Sequence, residues 1–87
     1  MIGLQYTKHF LKSVNKLPAS QQKKLAKLLE VLSEHPFYPL LHTKPLTGEL
    51  TGFYSFRITR EYIAIFQFLD SAVIKLIDVA HRKEIYR

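Results

Sequence analysis

The chain has 87 residues, 47% of them apolar, and no cysteine, so hydrophobic packing alone must hold one domain together, without a disulfide framework or a thiolate metal site. Thirteen lysines and arginines against seven carboxylates leave a formal charge of +6, which draws a small folded domain towards polyanions: nucleic acid, or else an acidic protein partner. The N-terminal MIGLQYTKHFLKS lacks the basic flank and long apolar core of a secretion signal, and Gln67, Asp70 and Lys75 interrupt the most apolar stretch, so a soluble, cytoplasmic protein without membrane contact is expected.

No repeat or linker divides residues 1–87, and the predicted elements fall into a helical front half and a strand-rich back half. After a short strand around Leu4 to Tyr6, helical spacing of Phe10, Leu11, Val14 and Leu17 predicts a first short helix. Pro18 suits a helix start. From there Leu25, Leu28, Leu29 and Leu32 form one apolar stripe, while Gln21, Lys23, Lys24, Lys27, Glu30 and Glu34 take the other face. HPFYP, with Pro36 and Pro39, cannot continue this second helix. The apolar period then drops to two. Tyr54, Phe56 and Ile58 alternate with Phe53, Ser55 and Arg57, which places Arg57 on the less apolar side of a strand. Tyr62 to Leu69 is apolar on both sides and reads as a central strand, Leu69 to Ala72 as a hairpin connection, and Val73 to Ala80 as the next strand. The expected fold is α+β, with two N-terminal helices on one face of a mainly antiparallel sheet of three to four strands. The leucine stripe uses up that face, so a ligand belongs on the other.

The histidines at 9, 35, 42 and 81 are scattered without carboxylates or cysteines at ligand spacing, so neither a metal nor another cofactor is expected. TGELTG lacks the lysine and spacing of a phosphate-binding P-loop. A basic and aromatic set remains: Lys44, Arg57, and, after the last strand, His81, Arg82, Lys83 and Tyr86. Metal-free RNA cleavage needs a base for the 2′-hydroxyl proton, cations for the charge on the transition state and an acid for the leaving 5′-oxygen. Histidine serves as base or acid, arginine clamps phosphate, and tyrosine donates a proton or stacks on a base. The other reading of these residues is a solvated basic terminus.

PLTGELTGFYSFRITREYIAIFQFLDSAVIKLIDVAHRKEIYR resembles the C-terminal half of a RelE/ParE superfamily toxin, and the helical LPASQQKKLAKLLE before it fits as well. The most specific parts are L-x-G-x-x-x-G-x-Y from Leu46 to Tyr54, the FYSFRIT strand and the closing HRKEIY. The resemblance implies a microbial-ribonuclease-like sheet and the toxin half of a type II toxin–antitoxin pair, a monomer within a hetero-oligomeric complex with an acidic antitoxin. RelE-like members cut mRNA in the ribosomal A site, so mRNA and the ribosome are implied partners. Carried over by position, His81, Arg57, Arg82 and Tyr86 make the catalytic set, with His81 as principal acid or base. Lys44, Lys83, Arg60, Arg87, Lys23, Lys24 and Lys27 are the implied RNA and ribosome contacts. One departure stands out: many active members carry an arginine where this chain has Ile63. Two alternatives accompany it, a ParE-like inhibitor of DNA gyrase and a catalytically weakened variant that binds the antitoxin.

Overall fold

A computed structural model describes residues 1–85. Five strands form one sheet: β1 (Gly3–Tyr6), β2 (Lys44–Pro45), β3 (Tyr54–Arg57), β4 (Tyr62–Asp70) and β5 (Val73–His81), in the spatial order β1-β5-β4-β3-β2. Two helices, α1 (Lys8–Asn15) and α2 (Ala19–Glu34), separate β1 from β2, and a four-residue helix, α3 (Arg82–Ile85), follows β5. The α+β class is as expected from the periods, and the sheet is larger than three or four strands. The short strand expected around Leu4 to Tyr6 is present as β1, paired parallel to β5, and the additional strand is the two-residue β2, an edge piece too short for a periodicity signal that pairs antiparallel to β3.

Local chemistry explains the helix ends. Thr7 caps α1, its Oγ1 accepting from the Phe10 N–H at 3.0 Å and donating to the Leu76 carbonyl at 3.0 Å. One side chain thus closes the helix and ties it to β5. Pro18 flanks α2 without offering a side-chain cap. Gln22 Nε2 instead donates to the Val14 and Leu17 carbonyls, each at 3.0 Å, tying the end of α1 to α2. The β4–β5 connection is tight because Asp70 Oδ1 accepts from the Ala72 N–H at 2.7 Å, an Asx turn.

Register assigns the faces. Phe56, Ala64 and Val79 lie across from one another on three strands, as do Tyr54, Phe66 and Leu76 on the same face. These residues, except the partly buried Tyr54, are at most 1% exposed and pack with Phe10, Leu17, Leu25, Leu28 and Leu32. The opposite face carries Lys44, Ser55 and Ile65 in one row and Arg57, Ile63 and Ala80 in the next. Ile63 and Ile65 are buried there, outside the main cluster, which is why β4 reads apolar on both sides. Among the described residues no helix is long and apolar enough to cross a membrane. Truncating Leu32, which is fully buried at the helix–sheet contact, is expected to cost about 2–5 kcal/mol as Leu32→Ala, measured by urea unfolding.

Candidate functional site

The open face holds a groove of about 220 Å³ lined by Lys44, Ser55, Arg57, Ile63, Arg60, Arg82 and His42, with Phe56 beneath. Each cation arrives by its own route. Lys44 sits on edge strand β2 opposite Ser55, and Arg57 ends β3 opposite Ile63. Arg60 projects from the β3–β4 turn. That turn is fixed by the Ile58 N–H donating to the Tyr62 carbonyl at 2.9 Å and by Thr59 Oγ1 accepting from the Glu61 and Tyr62 amides. Arg82 opens α3, its N–H donating to the Glu61 carbonyl at 2.7 Å and so extending the β4–β5 ladder by one bond.

A second recess of about 200 Å³ shares His42, Arg57 and Arg60 with the first and adds Lys24 of α2, Leu28, Leu40, Ile58 and Thr59. Together they make a cationic track that runs from the sheet's open face to the flank of α2. Among the described residues neither recess is lined by a carboxylate. The rim suits a polyanion and the floor, with Leu28, Leu40, Ile58 and Ile63, suits a flat apolar surface such as a nucleobase.

His81 belongs elsewhere. It pairs with Tyr62 on the helix-covered face and lines a separate cleft of about 400 Å³ between α1 and the end of β5, with His9, Ser13, Asp78 and Glu84. Its Nε2 lies 3.4 Å from Glu61 Oε2, its Nδ1 accepts from the Lys83 N–H at 3.2 Å, and its ring meets that of Tyr62 edge-on at 5.5 Å. In the same cleft Asp78 Oδ1 accepts from Ser13 Oγ at 3.0 Å and stands 3.1 Å from His9 Nε2.

The residues singled out from the sequence are therefore divided. Lys44, Arg57, Arg60, Arg82 and Lys24 converge on the track; His81 faces the opposite cleft; Lys23, Lys27 and Lys83 are exposed and line neither recess. Tyr86 and Arg87 lie outside the described residues. No group of three or more histidine, cysteine or acidic residues stands close enough to hold a metal ion among those described.

A family model, the ParE toxin of type II toxin–antitoxin systems, matches residues 4–86. The chain belongs to that family. Its fold is shared with solved toxins at low identity. A YoeB/ParE toxin from Agrobacterium tumefaciens is 22% identical over 93% of this chain and 99% of its own, with a TM-score of 0.78. YafQ from E. coli is 17% identical over the whole of both chains, with a TM-score of 0.81. The toxin–antitoxin complex RelBE2 from Mycobacterium tuberculosis contains a chain 24% identical over 93% of this one and 98% of its own, with a TM-score of 0.78. No curated protein matches the chain. The family membership agrees with the superfamily indicated by L-x-G-x-x-x-G-x-Y and HRKEIY.

One groove residue of this toxin was not singled out from the sequence. His42 follows a 3₁₀ turn (Pro39–Leu41) with φ 50°, a left-handed conformation, and its N–H donates to the Pro39 carbonyl at 3.2 Å. A signal was present: His42 stands two positions before Lys44 in a segment leading into a strand, where alternate residues share a side. The left-handed backbone makes the position sensitive to side-chain shape. His42→Val is expected to destabilise the fold by about 1–2 kcal/mol in thermal or urea unfolding, and His42→Asn to leave it nearly unchanged, because asparagine tolerates this region and β-branched residues do not.

Proposed function

We propose that this toxin cleaves mRNA in the ribosomal A site, by attack of a ribose 2′-hydroxyl on the adjacent phosphorus without a metal ion. The observation that carries the reading is the convergence of Lys44, Arg57, Arg60 and Arg82 on one groove with no lining carboxylate among the described residues. Attack on a phosphodiester builds negative charge on the phosphorane oxygens, and fixed cations stabilise that charge more than they stabilise the ground state. Arg57, held on a strand, and Arg82, anchored through Glu61, are the phosphate clamps; a guanidinium keeps its charge and presents paired donors. Lys44, Arg60 and Lys24 bind flanking phosphates. Tyr86 takes the stacking or proton-donating role that the RelE-like resemblance gives it. His81 fixes the passage from β5 into α3 through its bonds to Lys83 and Glu61, and so aims Arg82 into the groove. Products are a 2′,3′-cyclic phosphate and a 5′-hydroxyl.

An acidic antitoxin is the proposed partner, since the excess of six positive charges requires a polyanionic mask while the host grows, and the RelBE2 neighbour is described as a toxin–antitoxin complex. The toxin enters such a complex as one monomer among several chains, and a ribosomal target places its action in the cytoplasm.

A second reading, inhibition of DNA gyrase, is favoured by two observations. Ile63, at 7% exposure, lies directly across from Arg57 where many RNA-cleaving relatives carry an arginine, and the matching family model is that of ParE. Primer extension on a defined mRNA in a purified translation system decides between them. Cuts confined to A-site codons, present with ribosomes and absent on naked mRNA, are expected. Intact mRNA together with loss of supercoiling in a gyrase assay overturns the nuclease reading. Arg57→Ala and Arg82→Ala are each expected to lower cleavage about a hundredfold or more while keeping the unfolding free energy within about 1 kcal/mol of wild type. Binding of a single-stranded oligoribonucleotide, monitored by fluorescence anisotropy, is expected to weaken with salt at a log–log slope of about −3, the value for four phosphate contacts. A salt-independent affinity removes the electrostatic basis of the groove.

A further inference from the structure

Phosphodiester transesterification needs a proton acceptor near the 2′-oxygen, and a guanidinium offers only donors. An imidazole is the side chain whose ordinary titration range allows it to accept one near neutrality. Three of the four histidines are engaged away from the track. His9 Nε2 stands 3.1 Å from Asp78, His35 packs its ring against Tyr38 at the end of α2, and His81 has one ring nitrogen on the Lys83 amide and the other facing Glu61. His42 lines both recesses, at the point where they share Arg57 and Arg60. Among the described residues its ring nitrogens have no hydrogen-bond or ion-pair partner.

Its backbone is held from both sides. Leu41, immediately before it, is fully buried in the core, and Thr43, immediately after it, donates its hydroxyl to the Pro36 carbonyl. Between these anchors the chain takes a left-handed turn at a residue with a bulky ring. An exposed imidazole is thus presented over a cationic groove from a fixed and conformationally costly position, the kind of local strain that clusters at functional sites. The charged groups facing it are Lys44 on β2, Arg57 on β3, Arg60 on the β3–β4 turn, Arg82 on α3 and Lys24 on α2.

We propose that His42 is the general base of the groove, an inference that rests on the nuclease reading above. His42 takes the proton from the 2′-hydroxyl as the 2′-oxygen forms its bond to phosphorus, with Arg57 beside the phosphoryl oxygens. The P–O5′ bond then breaks, the 5′-oxygen takes a proton from solvent, and the imidazolium returns its own proton to solvent. The step consumes no co-reactant, and the RNA is divided between a cyclic phosphate end and a hydroxyl end.

Single-turnover cleavage on programmed ribosomes, followed against pH for wild type, His42→Asn, His42→Gly and His81→Gln, tests the assignment. His42→Asn is expected to remain folded by circular dichroism and to bind oligoribonucleotide as wild type does. Its cleavage rate is expected to fall about a hundredfold or more, and the residual rate to lose the limb that an imidazole base gives the wild-type pH profile. Free imidazole in the buffer is expected to restore cleavage to His42→Gly and not to His42→Asn, a rescue that a merely structural role does not produce. His81→Gln is expected to lower the rate through Arg82 and to keep the wild-type pH limb. Cleavage by folded His42→Asn at the wild-type rate with an unchanged profile overturns the assignment, as does loss of the limb in His81→Gln alone, which transfers the role to His81. A wild-type protein that cuts no mRNA on active ribosomes refutes the nuclease reading itself, and the wild-type arm reports that outcome separately.

Discussion

Packing of the α2 leucine stripe on one side of the sheet is the contact on which the rest of this toxin depends. Leu25, Leu28 and Leu32 meet Phe56, Ala64, Phe66 and Leu76 in a cluster that is nearly free of water. Each large side chain in it contributes roughly 1.5–3 kcal/mol by leaving solvent, so a helix and a sheet that are each marginal alone become stable together. A pleated strand turns its residues alternately up and down. Once one side is committed to the helices, every intervening residue emerges on the other, and Lys44, Ser55, Arg57 and Ile63 share a surface for that reason alone.

That surface is an electrostatic compromise. Cations gathered from β2, β3, the β3–β4 turn and α3 repel one another, and among the described residues no carboxylate lines the groove. The repulsion is tolerable because the side chains reach into water, where screening is strong, and because the apolar floor beneath them is already anchored by Ile63 and Ile65. A polyanion entering the groove relieves it.

The ends of the elements do as much as their interiors. Thr7 joins α1 to β5, Gln22 closes the corner between the helices, and Glu61 holds the start of α3 through its carbonyl while its carboxylate faces His81. Each is a polar side chain or backbone group that adds a polar contact at a junction. The groove inherits its geometry from these junctions, since Arg60 and Arg82 both stand one residue from Glu61 or are bonded to it.

Periodicity along the chain was enough to identify both helices, the strands β3, β4 and β5, the side of the sheet that is buried and the side on which Arg57 stands, because each of these follows from residues within a few positions of one another. The family motifs added the superfamily. The edge strand β2 was beyond that reach, since two residues carry too little pattern and become a strand only when a neighbour supplies the hydrogen bonds. The membership of the groove was also beyond it. His81 and Arg82 are adjacent in the chain and open into different clefts, whereas His42, Arg57 and Arg82 are far apart in the chain and line one. Composition determined that this chain is small, basic and apolar enough to bury a core, and local pattern determined what its elements are. Only strand register and the turns that join the strands decided which cations and which imidazole meet, because those contacts are made between segments whose separation in sequence carries no information about their distance in space.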